Sequence, residues 1–171
     1  MRVPMIARWP GRIAAGSTCR ELATAMDLLP TFCSLTGAPL PPKKLDGFDI
    51  SGMLFGQEGV QSQYEALYYY RRRQLQAIRF GDWKYHLPLK ATHPNWTTAH
   101  QTGPGRPGKL VNLTSDLQEK TDVTAANPDV IQRIGELIQN AERTLGNDDK
   151  PGSEQRDART LKSSKPMTLK K

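Results

Sequence analysis

The 171 residues include only two cysteines, Cys19 and Cys33. Two cysteines cannot make the disulfide framework that staples a small secreted domain, and the pair sets no redox compartment. Cys33 lies in an apolar run and reads as a small core residue. No stretch approaches the ~20 consecutive apolar residues of a membrane-spanning helix, so no membrane partner is expected. The first residues lack the basic and apolar regions of a secretory signal, and no internal repeat is visible. With 37% hydrophobic residues, core material is modest. The length suits one domain or part of a larger one.

Positive charge is plentiful: the formal net charge is +7. Part of the excess sits beyond Asn147, and Arg71, Arg72 and Arg73 are consecutive. Such clusters attract nucleic acid or anionic polysaccharide, whereas a solvated tail and a polar strand end explain them without any ligand.

Arg2 to Trp9 reads as a strand buried on both faces, as in a parallel sheet, closed by Pro10 and Gly11. A short extended piece, Leu22 to Met26, follows. Asp27 fits a helix N-cap, Pro30 is tolerated in the first turn, and Leu29, Phe32, Cys33 and Leu35 form an apolar face ending at Gly37. "DGFDISGMLFG" is expected to hold one helical turn. From Tyr64 the texture turns to strands, with a hairpin at Gly81-Asp82. Residues 88–108 read as a long irregular loop, and "KLVNL" as another strand. Asn127 and Pro128 open the clearest helix. Its stripe is Val130, Ile131, Ile134, Leu137, Ile138 and Ala141, and Gly146 ends it. The remainder lacks apolar periodicity and is expected to be disordered.

"RVPMIARWPGRIAAGS", "ELATAMDLLPTFCSLTGAPLP", "LDGFDISGMLFG", "QLQAIRFGDWKYHLP" and "KLVNLTSDLQEKTDV" resemble, in order and spacing, the later part of arylsulfatase-type sulfatases. The resemblance covers residues 1 to about 145. Asn112 stands where the family usually has Asp, and Leu117-Gln118 where it usually has Pro-Gly. The resemblance implies an alkaline-phosphatase-like α/β fold. Residues 1–60 would be the terminal piece of the large α/β domain, 61–146 a small antiparallel sheet with a C-terminal helix, and 147–171 a disordered basic tail. It also implies sulfuric ester hydrolysis. In the full-length family a formylglycine made from Cys or Ser in Cys/Ser-x-Pro-x-Arg attacks sulfur, beside a calcium ion held by Asp and Asn, with Lys and His neutralising charge.

Those requirements can be checked residue by residue. Neither Cys19 nor Cys33 has Pro two positions on or Arg four positions on, and Ser164 has Pro166 but Thr168. The only adjacent acidic pair, Asp148-Asp149, sits beside Lys150 and Pro151 and reads as a solvated linker. No catalytic residue, metal ligand or cofactor is therefore assigned to this chain. Among the histidines, His100 and His93 fall in the long loop and His86 on a strand. The family's loop region approaches the active-site mouth, which makes His86 and His93 candidates for the substrate rim; an ordinary surface histidine is the alternative. Asn95-Trp96-Thr97 and Asn112-Leu113-Thr114 match glycosylation sequons.

The expected function is thus that of a sulfatase-family C-terminal portion, inactive by itself, from a family commonly exported. Its family partners would be sulfate-ester small molecules or sulfated glycans, with no nucleic acid. In relatives Glu-Gly-Gly-x commonly precedes the segment matching "RVP". Met1 is accordingly expected to be an internal methionine taken as a start, or the gene to be truncated. The coding DNA upstream tests this. An unpaired N-terminal strand would expose apolar surface and favour self-association. Two alternatives stand beside this reading. One is a basic module built on "YYYRRR" and the tail, binding nucleic acid or sulfated polysaccharide. The other is a phosphodiesterase or phosphonate hydrolase of the same superfamily.

Overall fold

The computed structural model describes residues 3–89 and 105–156. The chain divides into two compact units, Met1–Glu65 and Ala66–Lys171.

In the first unit, residues 3–9 form no strand, and Ile6 is 94% exposed. This corrects the expected buried strand. An apolar run becomes a strand only when neighbours supply backbone partners, and no described residue pairs with this one. At Trp9 the chain turns: Arg12 N–H and Ile13 N–H both donate to its carbonyl. The Arg12 guanidinium lies 5.4 Å from the Trp9 ring and 4.8 Å from that of Phe55, a cation–π arrangement.

The second expectation to change concerns Asp27. Residues Ala25–Asp27 form a 3-10 turn rather than extended chain. Asp27 does not cap the following helix α1 (Leu28–Thr36) with its side chain. Its carboxylate instead closes a capping box with Thr24, accepting the Thr24 N–H at 2.5 Å. The remaining oxygen accepts the Phe48 N–H at 2.8 Å and the Tyr64 hydroxyl at 2.5 Å. Asp27 is fully buried, so these donors replace the water it has lost. Thr31 continues the network, donating to the Asp27 carbonyl (2.6 Å) and accepting from Ile50 N–H (3.0 Å). Gly47 permits the approach: a Cβ there would stand 2.1 Å from the Met26 carbonyl oxygen.

Because the 46–50 segment docks on Asp27 and Thr31, α1 buries Pro30, Thr31 and Cys33. Leu29 and Phe32 of the expected apolar face stay exposed. Gly37 ends α1 at φ 71°, as its freedom from a Cβ allows. A single turn, α2 (Ser51–Leu54), realises the one expected in "DISGMLFG".

The second unit is a four-stranded antiparallel sheet in the order β1 (Leu67–Arg71), β2 (Gln74–Phe80), β3 (Trp83–His86), β4 (Lys109–Asn112). One face is covered by α3 (Pro128–Thr144). Leu75, Ile78 and Leu87 meet Leu137 and Ala141, with Tyr68, Tyr70, Tyr85 and Ile138 packed around them. A bulge aligns these residues: Tyr69 pairs with Ala77 but Tyr70 with Leu75, leaving Gln76 as the extra residue. Leu75 and Ile78, three apart, can therefore both face the helix. Asn127 does not cap α3 with its side chain; its amide donates to the Val123 carbonyl.

Beyond β4 the chain folds back along the sheet edge. Val123 N–H donates to the Leu110 carbonyl at 2.9 Å, and Leu110 N–H is taken by Thr124 Oγ1 at 3.0 Å, so the edge strand is not left open. The tail expected to be disordered from Asn147 instead begins with a hairpin, β5 (Gly146–Asn147) and β6 (Lys150–Pro151). Apolar periodicity does not reveal it because turn chemistry holds it. Asp148 adopts φ 52° at the tip, Asn147 Oδ1 accepts Leu75 N–H at 2.9 Å, and Asp148 N–H reaches the Arg73 carbonyl at 2.8 Å. Residues 157–171 lie outside the described part.

Candidate functional site

On the sheet face away from α3, alternation along β3 places Lys84 and His86 side by side. Their register partners are Val111 and Lys109 on β4, and Arg79 and Ala77 on β2. The group that unites them comes from the turn after β4. Glu119 Oε1 lies 2.6 Å from Lys84 Nζ, and Glu119 Oε2 lies 2.6 Å from His86 Nε2. Lys109 Nζ donates to the Glu119 backbone carbonyl. Lys84 is buried, with its ammonium 5.3 Å from the Tyr69 ring centroid.

Burial pushes the Glu119 carboxyl up, and the hydrogen bonds from Lys84 and His86 more than reverse it, holding the group below its ordinary value. For His86, burial lowers the pKa, the Glu119 hydrogen bond opposes that, and the Lys84 and Arg106 charges add to the lowering. The net direction is downward, so the imidazole is neutral at pH 7 beside an ionised carboxylate. The result is a fixed, polar, half-buried group able to hold a hydrogen-bonding ligand in place. It has no nucleophile of its own.

His86 thus lies on the expected strand, paired with groups the sequence did not single out. Lys84 carried a signal, two residues away on the same strand face. Glu119 lay inside the quoted "KLVNLTSDLQEKTDV" segment but was not singled out, being 33 residues from His86 along the chain. His93 and His100 lie outside the described residues, as does the Asn95 sequon. In the second sequon, Asn112 Oδ1 accepts the Thr114 N–H at 2.9 Å. Of the residues behind the basic-module alternative, the tail beyond residue 156 lies outside the described part, and the "YYYRRR" stretch is placed. Tyr68 and Tyr70 pack in the core, and Tyr69 lies under Lys84. Arg72 and Arg73 line a shallow cleft of about 260 Å³ whose wall also includes Asp148.

The model for the C-terminal region of aryl-sulfatase matches residues 62–166, which include the whole sheet and α3. The chain belongs to the aryl-sulfatase family. A second model, for the C-terminal part of N-sulphoglucosamine sulphohydrolase, matches residues 1–83. Human arylsulfatase A is 37% identical over 153 residues, covering 80% of this chain and 30% of that protein. Canine N-acetylgalactosamine-6-sulfatase is 30% identical over 167 residues, covering 85% and 31%. The chain thus spans about three tenths of the length of these relatives, and it matches their C-terminal regions.

Among solved structures, the PsFucS1 sulfatase from Pseudoalteromonas sp. matches with TM-score 0.58 at 22% identity, over 84% of this chain and 30% of that one. A chain solved in complex with its substrate D-glucosamine-2-N,6-O-disulfate matches with TM-score 0.54 at 20% identity, over 86% and 29%. These likenesses bear on the fold, which is that of the sulfatase C-terminal subdomain, an antiparallel sheet plus helix.

Full-length aryl-sulfatases use calcium. Among the described residues, no three His, Cys, Asp or Glu side chains converge on a point. Asp116 accepts Thr121 N–H at 2.7 Å, and Asp122 accepts the Thr124 hydroxyl at 2.5 Å. The free cysteines, Cys19 and Cys33, lack the formylglycine motif. No described helix is long and apolar enough to cross a membrane.

Proposed function

We propose that this chain supplies the C-terminal portion of a sulfuric ester hydrolase, and that the Lys84–Glu119–His86 face of its sheet forms part of the substrate rim. The observation carrying the proposal is the aryl-sulfatase C-terminal match over residues 62–166, the segment that builds this face. In this reading, residues 1–60 are the last piece of the large α/β domain. Residues 61–146 are the small subdomain, its sheet covered on one side by α3. His86 contacts a sulfate-ester small molecule or a sulfated glycan, with His93, which lies outside the described residues, the second candidate read from the sequence. The nucleophile and the calcium ligands belong to family positions that this sequence does not contain. An exported setting, common in the family, fits the reading.

The test is an assay of the purified 171-residue chain against an aryl sulfate with calcium present. No turnover is expected. The same assay on a full-length aryl-sulfatase whose C-terminal portion is replaced by this chain is expected to show turnover, with His86→Ala raising KM more than it lowers kcat. Turnover by the 171-residue chain itself would refute the proposal, as would an active chimera indifferent to His86→Ala.

A further inference from the structure

A histidine that meets a ligand must present a defined nitrogen in a defined state. Neutral imidazole donates from one nitrogen and accepts at the other, so the partner of one nitrogen decides the role of its twin. At His86, Nε2 lies 2.6 Å from Glu119 Oε2. An ionised carboxylate has no proton to give, which leaves Nε2 as the donor. Nδ1 then carries the lone pair, and no described residue is bonded to it.

Glu119 is held more firmly than a surface ion pair requires. Its two carboxylate oxygens take Lys84 and His86, its carbonyl takes Lys109, and its N–H donates to the Asp116 carbonyl at 3.2 Å. It does so at φ 57°, a left-handed conformation that a residue with a Cβ adopts only against steric crowding. Such outliers persist where surrounding bonds over-determine them. The charges around the imidazole are Lys84 beside it on β3, Lys109 across on β4, Arg106, and Glu119 itself, while β2 offers the apolar Ala77 opposite. Lys84 balances the carboxylate, so His86 has a proton acceptor beside it without being driven to imidazolium.

We propose that Glu119 is the positioning residue of this face: its carboxylate fixes His86 as the Nε2–H tautomer and leaves Nδ1 to accept a hydrogen bond from a hydroxyl or N–H of the ligand. The ligand half of this statement rests on His86 being part of the substrate rim; the tautomer half does not.

The test is two-bond 1H–15N correlation on the 15N-labelled 171-residue chain above pH 7. Wild type is expected to show His86 protonated at Nε2. In Glu119→Gln the amide can donate to Nε2, so the tautomer ratio is expected to shift at least about tenfold toward Nδ1–H. The His86 titration midpoint is expected to fall by about one pH unit as the anionic neighbour is lost. An unchanged tautomer and midpoint in a folded Glu119→Gln protein would overturn the proposal. Should that variant not fold, the wild-type spectrum decides, because an Nδ1–H tautomer there overturns it equally. Glucosamine 6-sulfate is the ligand probe. A His86 shift that weakens about tenfold in Glu119→Gln supports the whole proposal. No shift at saturating probe, with Nε2–H intact, removes the ligand half together with the rim reading and leaves the Glu119 tautomer role in place.

Discussion

The two units use a buried or half-buried carboxylate in opposite ways. In Met1–Glu65, Asp27 lies at the centre, and much of the unit is organised by donors converging on it. The large apolar side chains Ile6, Leu29 and Phe32 remain outside. In Ala66–Lys171 the centre is apolar, Leu75 and Ile78 against Leu137 and Ala141, and the carboxylate of Glu119 sits on the opposite face of the sheet. The difference shows which part is self-sufficient. A sheet with a helix on it buries its own apolar face. A helix that exposes Leu29 and Phe32 has its polar bonds satisfied and its apolar surface unspent. Sequence patterning cannot distinguish these cases, because both segments carry periodic apolar residues.

The sharpest way to break the contrast is at the two centres. Asp27→Ala leaves the Thr24 N–H and the Phe48 N–H without their acceptor, while the Tyr64 hydroxyl keeps Thr24 Oγ1 and the Asp46 carbonyl within reach. At about 1–3 kcal/mol for each buried orphan, the first unit is expected to lose on the order of 4 kcal/mol. Ile78→Ala removes a fully buried side chain from the sheet core and is expected to cost the second unit about 3 kcal/mol. Amide hydrogen exchange separates the two losses. Asp27→Ala should accelerate exchange at Ile50 N–H, and Ile78→Ala at the β2 and β3 amides. If Asp27→Ala proved neutral, a central role for this carboxylate could not stand.

Changes of pH act on the same centres from opposite ends. Tyr64 is pushed up to about 12 from 10.0, first by burial and then by its bond to Asp27. The folded state thus favours the protonated phenol. That stabilisation is complete below pH 10 and is lost as pH rises towards 12. Discounted for the exposure of the ring, it amounts to about 1–2 kcal/mol. Tyr64→Phe should remove this alkaline limb at a cost of about 1 kcal/mol at pH 7, measured as the difference between variant and wild-type melts. On the acid side, His86 lies below its ordinary 6.5 and Glu119 below its ordinary 4.5. The His86 contribution is complete above pH 6.5 and lost as pH falls through its lowered value. The Glu119 contribution is complete above pH 4.5 and lost on further acidification. Glu119→Gln should remove the Glu119 part of the acid limb below pH 4.5, enlarge the His86 part as that midpoint falls, and leave the alkaline limb untouched.

Most of the second unit is legible in the sequence alone. Alternation in "QLQAIRF", the Gly81-Asp82 turn and the Val130-to-Ala141 stripe are local patterns, and the strands and the helix lie where those patterns place them. The failures share a cause. The strand expected at Arg2–Trp9, the face expected on α1 and the cap expected from Asp27 all depend on what lies opposite in space. Asp27 is tied to Phe48 and Tyr64, 21 and 37 residues away. The candidate site has the same character. His86 is visible as a histidine on a strand, but its tautomer and charge are set by Glu119 and Arg106, which no spacing rule links to it. The hairpin after Gly146 escapes for another reason: its stability lies in the side-chain bonds of Asn147 and a left-handed Asp148, not in apolar residues.

The smallest effect on stability is expected where the contrast is plainest. Ile6 is 94% exposed and Phe32 58% exposed, so neither contributes much burial, and Ile6→Ser with Phe32→Ser should change the melting free energy by less than about 0.5 kcal/mol. Association should respond more strongly. An unpaired extended segment and an exposed apolar helix face favour contact between copies, through strand pairing and through apolar burial. Sedimentation velocity across a concentration series is therefore expected to show self-association for the wild-type chain and its loss in the double variant. A wild-type chain that sediments as a monomer throughout would show that the apolar side chains left open in the first unit do not bring copies together. A double variant that associates as before would move the contact elsewhere on the molecule. Leu117 and Leu145, the large apolar side chains the second unit leaves exposed, are then the next to replace.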